Sequence, residues 1–416
     1  MKLLNVIRSL NPARGGPVES LKQCASAMAE MGHTTEAVAL DPPDAPWVRD
    51  LSFPVHALGP GSFAYGYSPT LIPWLQKRAG DYDAVVVRGI WQYHSFACWR
   101  ALRRSSTPYV VFPHGMLDPW FKRTYPLKHA KKWMYWPWAE YRVLRDAKAV
   151  LFTCEEERLL ARDSFRLYDC KEIVVNYGTV APEENTETQK TAFFARYPEL
   201  RSKRLALFMG RIHSKKGCDL LIEAFADVLG YDPDWHLVLA GPDQVGWQAD
   251  LVALARRRLV SESITWTGMI SGDVKYGALK AAEVFVLPSH QENFGIVVAE
   301  ALACGIPVLI SNKVNIWREI QQDGAGMVES DDLEGTRYLF RNWLALSALD
   351  RQRMKDRARE CFRNRFEIGK SAESIVKAIA SFVHHGSETS VRQDGPDSPK
   401  NLGPMHNDAG SRTAAV

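Results

Sequence analysis

Short apolar runs alternate with mixed polar and apolar segments over the first 180 residues of the chain. The runs LLNVI, TTEAVAL, DAVVVRG, PYVVFPHG, AKAVLFTC and EIVVNYG predict strands. The segments between them, such as PVESLKQCASAMAEMG, SFACWRALRRS and EEERLLARDSF, predict helices. Continuous apolar runs are typical of parallel strands that are covered on both faces.

The alternation restarts after a polar stretch. The runs LALFMG, HLVLAG, ITWTGM, VFVLPS, PVLIS and AGMVE predict further strands, and CDLLIEAFADVLG is the first of the helices between them. Two successive series of this kind predict an α/β protein with two Rossmann-like, doubly wound parallel sheets.

A polar segment and a polar end suggest how the chain is divided. No apolar residue occurs from Glu183 to Lys190, which indicates a linker. The end of the chain is rich in Ser, Gly, Pro, Asp and Asn, without an apolar period, and this predicts disorder. The predicted parts are a first domain over 1–180, a linker over 181–192, a second domain over 193–367, a helix over 368–385 that packs back on the first domain, and a disordered tail over 386–416.

Composition narrows the class of protein. A length of 416 residues fits two domains. The net charge of +4 is too small to indicate a protein whose whole surface binds nucleic acid. The seven cysteines include no C-x-x-C pair, so we expect reduced thiols in the cytoplasm and no zinc site. Because no apolar stretch reaches the length of a membrane span, we expect a cytoplasmic protein, with peripheral attachment to the inner face of the plasma membrane left open.

The loop after the strand LALFMG carries two cations. In FMGRIHSKKG, Arg211 and Lys216 lie beside a turn that Gly217 closes, ahead of a predicted helix. Ligands of doubly wound sheets bind at such strand ends, and Arg and Lys together suit a diphosphate. Basic loop residues are more often simply solvated, so this signal is modest when taken alone.

The segment SHQENFGIVVAEALACGIPVL carries two acids at a second strand end. Glu292 lies in the loop and Glu300 lies two turns into the helix that Phe294 and Gly295 open. Free N–H groups at this helix start can bind a phosphate, and a carboxylate on each side can accept hydrogen bonds from sugar hydroxyls. The alternative for Glu300 is a helix carboxylate that a neighbouring side chain satisfies.

These motifs resemble those of a known family. The G-R-x4-K-G stretch over 210–217, and the E-x7-E stretch followed by A-x-A-C-G-x-P-V over 292–308, look like those of retaining GT-B glycosyltransferases of family-4 type. RGGPVES over 14–20 resembles the glycine-rich first loop of that family. PYVVFPHGMLDPW over 108–120 resembles a segment of bacterial members that build surface polysaccharides. The resemblance spans roughly residues 1–385 and implies a GT-B fold.

The resemblance implies a role for each matching residue. It implies that Arg211 and Lys216 bind the donor diphosphate and that Glu300 binds the ribose. Glu292 would contact donor sugar hydroxyls and His114 would lie beside the anomeric carbon. The remaining donor-binding residues that it implies are Gly15, Gly16, Met269, Asn293, Phe294, Gly295 and Ile296. Asn293 stands where the family often has a small residue, and we expect little consequence.

The implied reaction is sugar transfer from a nucleotide-diphosphate donor, with retention, to a glycan or polyprenyl-linked acceptor in surface polysaccharide synthesis. No cofactor is expected. We also expect no metal, because Arg211, Lys216 and helix N–H groups can stabilise the leaving diphosphate. The D-x-D pair in DYD over 81–83 precedes a strand, which is the wrong edge for the site. Asp118 could act as a nucleophile, but a turn-forming role before a proline is favoured, and we favour same-face attack.

The segment over 119–139 mixes tryptophans and cations. PWFKRTYPLKHAKKWMYWPWA holds four Trp and five Lys or Arg residues and no acid. One interpretation is a surface that binds an anionic membrane. The alternatives are core tryptophans beneath a solvated cationic face, or a groove for an acidic polysaccharide.

Two other classes of enzyme remain open from the sequence. A GT-B enzyme could epimerise or hydrolyse a nucleotide sugar without transferring it. An NAD-dependent oxidoreductase would also have two Rossmann-like domains, but it requires a G-x-G-x-x-G after the first strand, and NPARGGPVES does not provide one.

Overall fold

Two parallel sheets form the frame of the molecule. The computed structural model describes residues 1–383 except residues 50, 184, 230 and 231. The first sheet has seven strands in the order β3-β2-β1-β4-β5-β6-β7, and the second has six in the order β10-β9-β8-β11-β12-β13. The first sheet consists of β1 Lys2–Ile7, β2 Thr34–Ala39, β3 Val55–Ala57, β4 Ala84–Arg88, β5 Tyr109–Phe112, β6 Ala149–Phe152 and β7 Glu172–Val174. The second consists of β8 Arg204–Met209, β9 Trp235–Ala240, β10 Ile264–Gly268, β11 Val284–Leu287, β12 Val308–Ser311 and β13 Gly326–Glu329. This confirms the prediction of two doubly wound sheets.

Helices cover both faces of each sheet. Those up to the end of the first sheet are α1 Gly16–Glu30, α2 Pro46–Arg49, α3 Leu71–Arg78, α4 Tyr93–Leu102, α5 Trp120–Thr124, α6 Pro126–Tyr135, α7 Glu140–Arg145 and α8 Glu155–Arg162. The later ones are α9 Thr186–Arg196, α10 Cys218–Val228, α11 Gln248–Arg257, α12 Gly272–Ala281, α13 Ile296–Ala303, α14 Trp317–Asp323, α15 Leu333–Ala345, α16 Ala348–Cys361 and α17 Ile368–Val383.

The central strands are fully buried, as their composition requires. All five residues of β4 and all six of β9 are buried. Strands covered by helices on both faces gain no stability from polar side chains, and this explains their Val- and Leu-rich runs. The sequence pattern did not reveal β3, a three-residue edge strand whose residues are only half-buried.

A helix begins inside the segment that the sequence predicts as a linker. Residues from Thr186 onward form α9, which packs against α12 and buries Gln189 and Phe193. The linker prediction over 181–192 is therefore too long. The polar stretch is the exposed first turn and outer face of a helix whose inner face depends on contact with α12.

The final described helix crosses back to the first domain. Ala372, Ile375 and Ile379 of α17 are buried in one cluster with Cys24 and Met28 of α1. The predicted helix over 368–385 extends two residues beyond the described part of the chain, and the predicted tail over 386–416 lies wholly outside it. No helix within the described residues is long and apolar enough to cross a membrane.

Candidate active site

A cavity of about 520 Å³ lies between the two domains, at the carboxyl ends of both sheets. From the first domain it is lined by Ala13, Gly15, Gly16, Pro17, His114, Gly115, Met116, Phe121 and Tyr177. From the second it is lined by Met209, Gly210, Arg211, Lys215, Lys216, Gln244, Leu287, Gln291, Glu292, Asn293, Phe294, Gly295, Ile296 and Val297. The structure thus brings together ten of the twelve residues predicted for the site and leaves out Glu300 and Met269.

The loop after β8 places a lysine in the wall of this cavity. A short 3₁₀ turn, Ser214–Lys216, ends at Gly217, whose φ is 67°. A Cβ at Gly217 would lie 2.2 Å from the carbonyl oxygen of Pro288, so only glycine fits. This turn fixes Lys216, whose residue is 9% exposed, against the cavity wall.

Lys216 forms an ion pair with Glu292. The ammonium donates a hydrogen bond to the Oε2 of Glu292. Burial alone would raise the pKa of the Glu292 carboxyl, but the nearby cations, chiefly Lys216, hold that pKa below its usual value. The backbone of Glu292 is also fixed, because its N–H donates to Lys313 O and its carbonyl accepts from Asn315 N, each at 2.9 Å.

Lys215 is a site residue that the sequence analysis missed. Its ammonium lies 5.0 Å from the ring centre of Trp120 and 5.4 Å from that of Phe121, both in the first domain. Burial, followed by the charge of Lys216, lowers the pKa of Lys215 to about 8. Arg211 is exposed at the same cavity, so three cations face one carboxylate there. The signal was the doubled lysine in HSKKG; the other lining residues that were missed include Tyr177, Gln244 and Gln291, and their types gave no signal.

Two helix N-termini meet at the cavity. Helix α1 begins at Gly16 and helix α13 begins at Ile296, behind Gly295 with a φ of 76°. A Cβ on Gly16 would lie 3.2 Å from Cδ1 of Ile296, so these helix starts approach closely across the domain boundary. Phe294 packs edge-on against Tyr177, with ring centres 4.9 Å apart. At the start of α1, Pro17 has no N–H and Val18 N already donates to Gly15 O. The first N–H groups of α13 therefore supply most of the positive field that favours an anion in the cavity.

Asn293 has a structural role that the sequence did not suggest. Its side chain donates to the Oγ1 of Thr153 at 3.3 Å. Gly115, with a φ of 74°, lies against it so closely that a Cβ there would be 2.7 Å from the Asn293 amide. The residue therefore helps to hold the domains together, contrary to our expectation of little consequence.

His114 lies at the boundary between this cavity and a second one. It has a φ of 49°, and its Nε2 is buried without a partner among the described residues. Burial, followed by the charge of Arg88, lowers the pKa of His114 to about 3. The adjacent Gly115 N–H donates to Glu157, a buried carboxylate that also accepts from the backbone and hydroxyl of Thr153. His114 is therefore a neutral imidazole with one free nitrogen.

Glu300 lies outside the cavity lining. Its Oε1 accepts a hydrogen bond from Lys275 of α12 at 2.6 Å, while its Oε2 is buried without a partner in the described residues. Glu300 is four residues beyond Ile296, so both are on one face of α13. The alternative that a neighbouring side chain satisfies Glu300 therefore holds for one carboxylate oxygen, and the other oxygen has no partner among the described residues.

Met269, which the resemblance implies as a donor-binding residue, lies away from the cavity. It follows β10, is 74% exposed and does not line the cavity. The sequence predicts that Met269 lies in a loop at a strand end, but it does not predict the direction of the side chain, because that depends on how the loop turns.

The remaining carboxylates are occupied elsewhere. Asp118 accepts from Trp120 N at 2.8 Å and from Gln291 Nε2 at 2.9 Å, so it stabilises its own turn and a contact between the domains. Asp83 accepts from Lys2 N at 2.7 Å, at the amino edge of the first sheet. Among the described residues, no group of three or more His, Cys, Asp or Glu side chains could hold a metal ion.

A second cavity, of about 770 Å³, lies within the first domain beside the first. Pro17, His114, Met116 and Phe121 line both. Much of the rest of its wall consists of aromatic and cationic residues, namely Tyr65, Trp91, Arg8, Arg88, Lys131 and Lys132. Among the described residues that line it there is no Asp or Glu.

Comparison with known proteins identifies the family of this chain. Residues 189–360 match the family described as glycosyl transferases group 1, and residues 15–178 match the glycosyl transferase 4-like domain. The first of these regions contains the whole second sheet, and the second contains every strand of the first sheet except β1. The chain belongs to this family of glycosyl transferases.

Relatives of this glycosyltransferase differ in their named substrates. An alpha-D-kanosaminyltransferase from Streptomyces kanamyceticus is 30% identical over 45% of this chain and 48% of its own length. A GDP-mannose:cellobiosyl-diphosphopolyprenol alpha-mannosyltransferase from Komagataeibacter xylinus is 26% identical over 80% of this chain and 81% of its own. The chain spans about half or less of the length of several curated relatives that it matches.

Solved structures share the GT-B architecture. HepE from Anabaena, in complex with UDP and glucose, is 16% identical, with a TM-score of 0.71 over 92% of this glycosyltransferase and 100% of that chain. At this identity the likeness concerns the fold.

Proposed function

We propose that this chain transfers a sugar from a nucleotide-diphosphate donor to a glycan or lipid-linked acceptor, with retention of anomeric configuration and without a metal ion. The observation that carries the proposal is the cation cluster of Arg211, Lys215 and Lys216 in the cavity between the sheets, beside the start of α13. Departure of a nucleoside diphosphate builds negative charge, and preorganised cations and N–H groups stabilise that charge.

Each donor part has a matching group. The diphosphate is bound by the three cations and by the start of α13. Glu292, kept ionised by Lys216, accepts hydrogen bonds from the donor sugar. The free Oε2 of Glu300 accepts from the ribose after a small movement of its side chain, and Gln244 lies near the nucleoside.

The reaction exchanges one bond at the anomeric carbon for another. The bond between this carbon and the phosphate oxygen breaks, and the acceptor hydroxyl oxygen bonds to the carbon on the same face. The proton of the acceptor hydroxyl passes to the departing diphosphate. Neutral His114 lies where the two cavities meet, and its free nitrogen positions a hydroxyl at the reacting carbon. Asp118, hydrogen-bonded on both oxygens, does not serve as a nucleophile.

The acceptor occupies the second cavity. Its lining of cations and aromatic rings suits a sugar joined to a diphosphate, because aromatic faces pack on sugar rings and cations bind phosphate. The relative from Komagataeibacter is named for a diphosphopolyprenol acceptor. These observations favour a lipid-linked glycan and a role in surface polysaccharide synthesis.

The test is product analysis. UDP-, GDP- and ADP-sugars are first screened by thermal shift, with NADH as the comparison. The best donor is then incubated with lipid-linked acceptors, with EDTA or with manganese. We expect the transferred sugar to keep the anomeric configuration that it has in the donor. We also expect that EDTA leaves the activity unchanged. Free sugar or an epimer as the sole product, stabilisation by NADH alone, or activity that requires manganese would contradict the proposal.

A further inference from the structure

Helix α6 turns large apolar side chains toward solvent. Leu127 is 86% exposed and Met134 71%, and Trp138, in the turn after the helix, is 69% exposed. The spacing of seven residues places Leu127 and Met134 on one face of α6, and Trp138 follows in the turn after the helix. These three residues are called the apolar stripe. Trp136, on the opposite side, is 1% exposed and packs in the core of the first domain. The segment thus has a structural tryptophan inside and an exposed apolar stripe outside, with the Arg142 guanidinium 5.7 Å from the ring centre of Trp138.

Cations surround this stripe. Lys122, Arg123, Lys128 and Lys131 are all exposed, and the sequence has no acid from 119 to 139. Lys132 differs, since it is half-buried with its ammonium 4.4 Å from the ring centre of Trp91. Cations beside exposed Trp and Met side chains suit a negatively charged interface with an apolar interior.

The same helix also bounds the second cavity. Phe121, Lys131 and Lys132 line that cavity from its edge. Because Lys131 is exposed as well, the cavity opens beside the apolar stripe. A surface on which the stripe rests would therefore lie next to the cavity mouth.

We propose that α5, α6 and the turn through Trp138 form a docking surface for a lipid bilayer with anionic headgroups. Leu127, Met134 and Trp138 enter the headgroup and acyl boundary, and the exposed cations contact the headgroups. The docking itself stands apart from the proposed function. Only the delivery of a lipid-linked acceptor to the second cavity rests on that function.

Other occupants fit less well. A second copy on a two-fold axis would bring the four exposed cations against themselves, which costs free energy. An acidic polysaccharide would be attracted by the cations but is hydrated, so it would leave three large apolar side chains in water. A bilayer satisfies both parts of the surface.

The first experiment removes the apolar stripe. The full chain is sedimented with vesicles of phosphatidylcholine alone, or of phosphatidylcholine with phosphatidylglycerol. We expect binding to the anionic vesicles, and at least a tenfold loss in the triple variant Leu127→Ser, Met134→Ser, Trp138→Ser. The matched control is Leu259→Ser with Leu349→Ser, two residues that are 92% and 60% exposed in the second domain. It should bind as wild type does.

The second experiment removes charge. Lys122→Glu with Arg123→Glu and Lys128→Glu should abolish the preference for anionic vesicles, since three cations that contact the headgroups become anions that the headgroups repel. Arg256→Glu with Arg257→Glu, exposed on α11, serves as the control and should not change it.

Several results would overturn the docking proposal. They are no binding of wild type to anionic vesicles, unchanged binding by the apolar variant, or a concentration-dependent dimer in sedimentation velocity that this variant abolishes. Thermal shift with UDP separates the two proposals, because the apolar variant should keep the wild-type shift and thereby show an intact fold. Vesicle binding without any shift by a nucleotide sugar would refute the donor assignment and leave the docking surface in place.

Discussion

The two cavities of the molecule share a wall but differ in their chemistry. In the cavity between the domains, Glu292 lies among three cations and pairs directly with Lys216. In the cavity of the first domain, the described lining residues include cations and aromatic rings but no carboxylate. Short, specific contacts hold the side chains of the first cavity in place, whereas the second cavity is characterised by its shape and its positive charge.

This difference explains why sequence motifs reported only one of them. A diphosphate requires particular side chains at fixed places on a strand end and a helix start, and each such place is one short stretch of sequence. The second cavity collects residues from several distant segments, including Arg8, Tyr65, Trp91 and Lys132.

The largest expected effect is the loss of Lys216. Lys216→Ala should lower kcat by about 10²- to 10³-fold, because a preorganised cation at the leaving group is removed. Steady-state kinetics with the best donor would measure this. Arg256→Ala, on the exposed end of α11, is the control and should leave kcat unchanged. A wild-type rate in Lys216→Ala would remove the assignment of the diphosphate site.

Glu300 tests how far the first cavity extends. Glu300→Ala should weaken UDP binding by at least about tenfold, as expected when a hydrogen bond to a charged group is lost. Lys275→Met removes the partner of Glu300 and leaves the carboxylate, so it should retain more affinity. Equal losses in both variants, by calorimetry, would show that Glu300 acts only through the ion pair.

Gly115 tests the contact that joins the domains. Gly115→Ala should lower the free energy of unfolding by about 1–2 kcal/mol for its left-handed backbone, and by more for the clash with Asn293. Adding Asn293→Ala should remove the clash and restore that part of the free energy of unfolding, but it should leave the cost of the left-handed backbone. Urea unfolding measures both. If the double variant recovers nothing, the close approach of Gly115 and Asn293 is not the source of the strain.

The smallest effect is a pH dependence in the first cavity. The lowered pKa of Lys215, about 8, means that this lysine loses its charge as pH rises through 8. The Kd of UDP should therefore increase above pH 8, by at most about tenfold per pH unit for one proton. Lys215→Arg should keep its charge and show a flat profile over pH 8–10. A profile that Lys215→Arg does not alter would assign the titration to another group.

Much of the fold could be predicted because burial leaves a record in local composition. Strands such as β4 and β9 are apolar except for Arg88 and His236, since both of their faces are covered. The start of α9 could not be predicted, because its polar first turn resembles a linker until α12 lies against Gln189 and Phe193. The edge strand β3 is too short and too exposed to leave a pattern.

The sequence by itself determined the two sheets, the strand-end motifs and therefore the position of Lys216 and Glu292, because each motif is a local segment whose backbone sets its own geometry. Only the tertiary structure decided that Asn293 contacts Gly115, that Glu300 pairs with Lys275, and that Trp136 points inward while Trp138 points outward. These outcomes depend on which surface of a distant segment arrives beside each residue. Residue type and spacing do not encode that information in one stretch of chain.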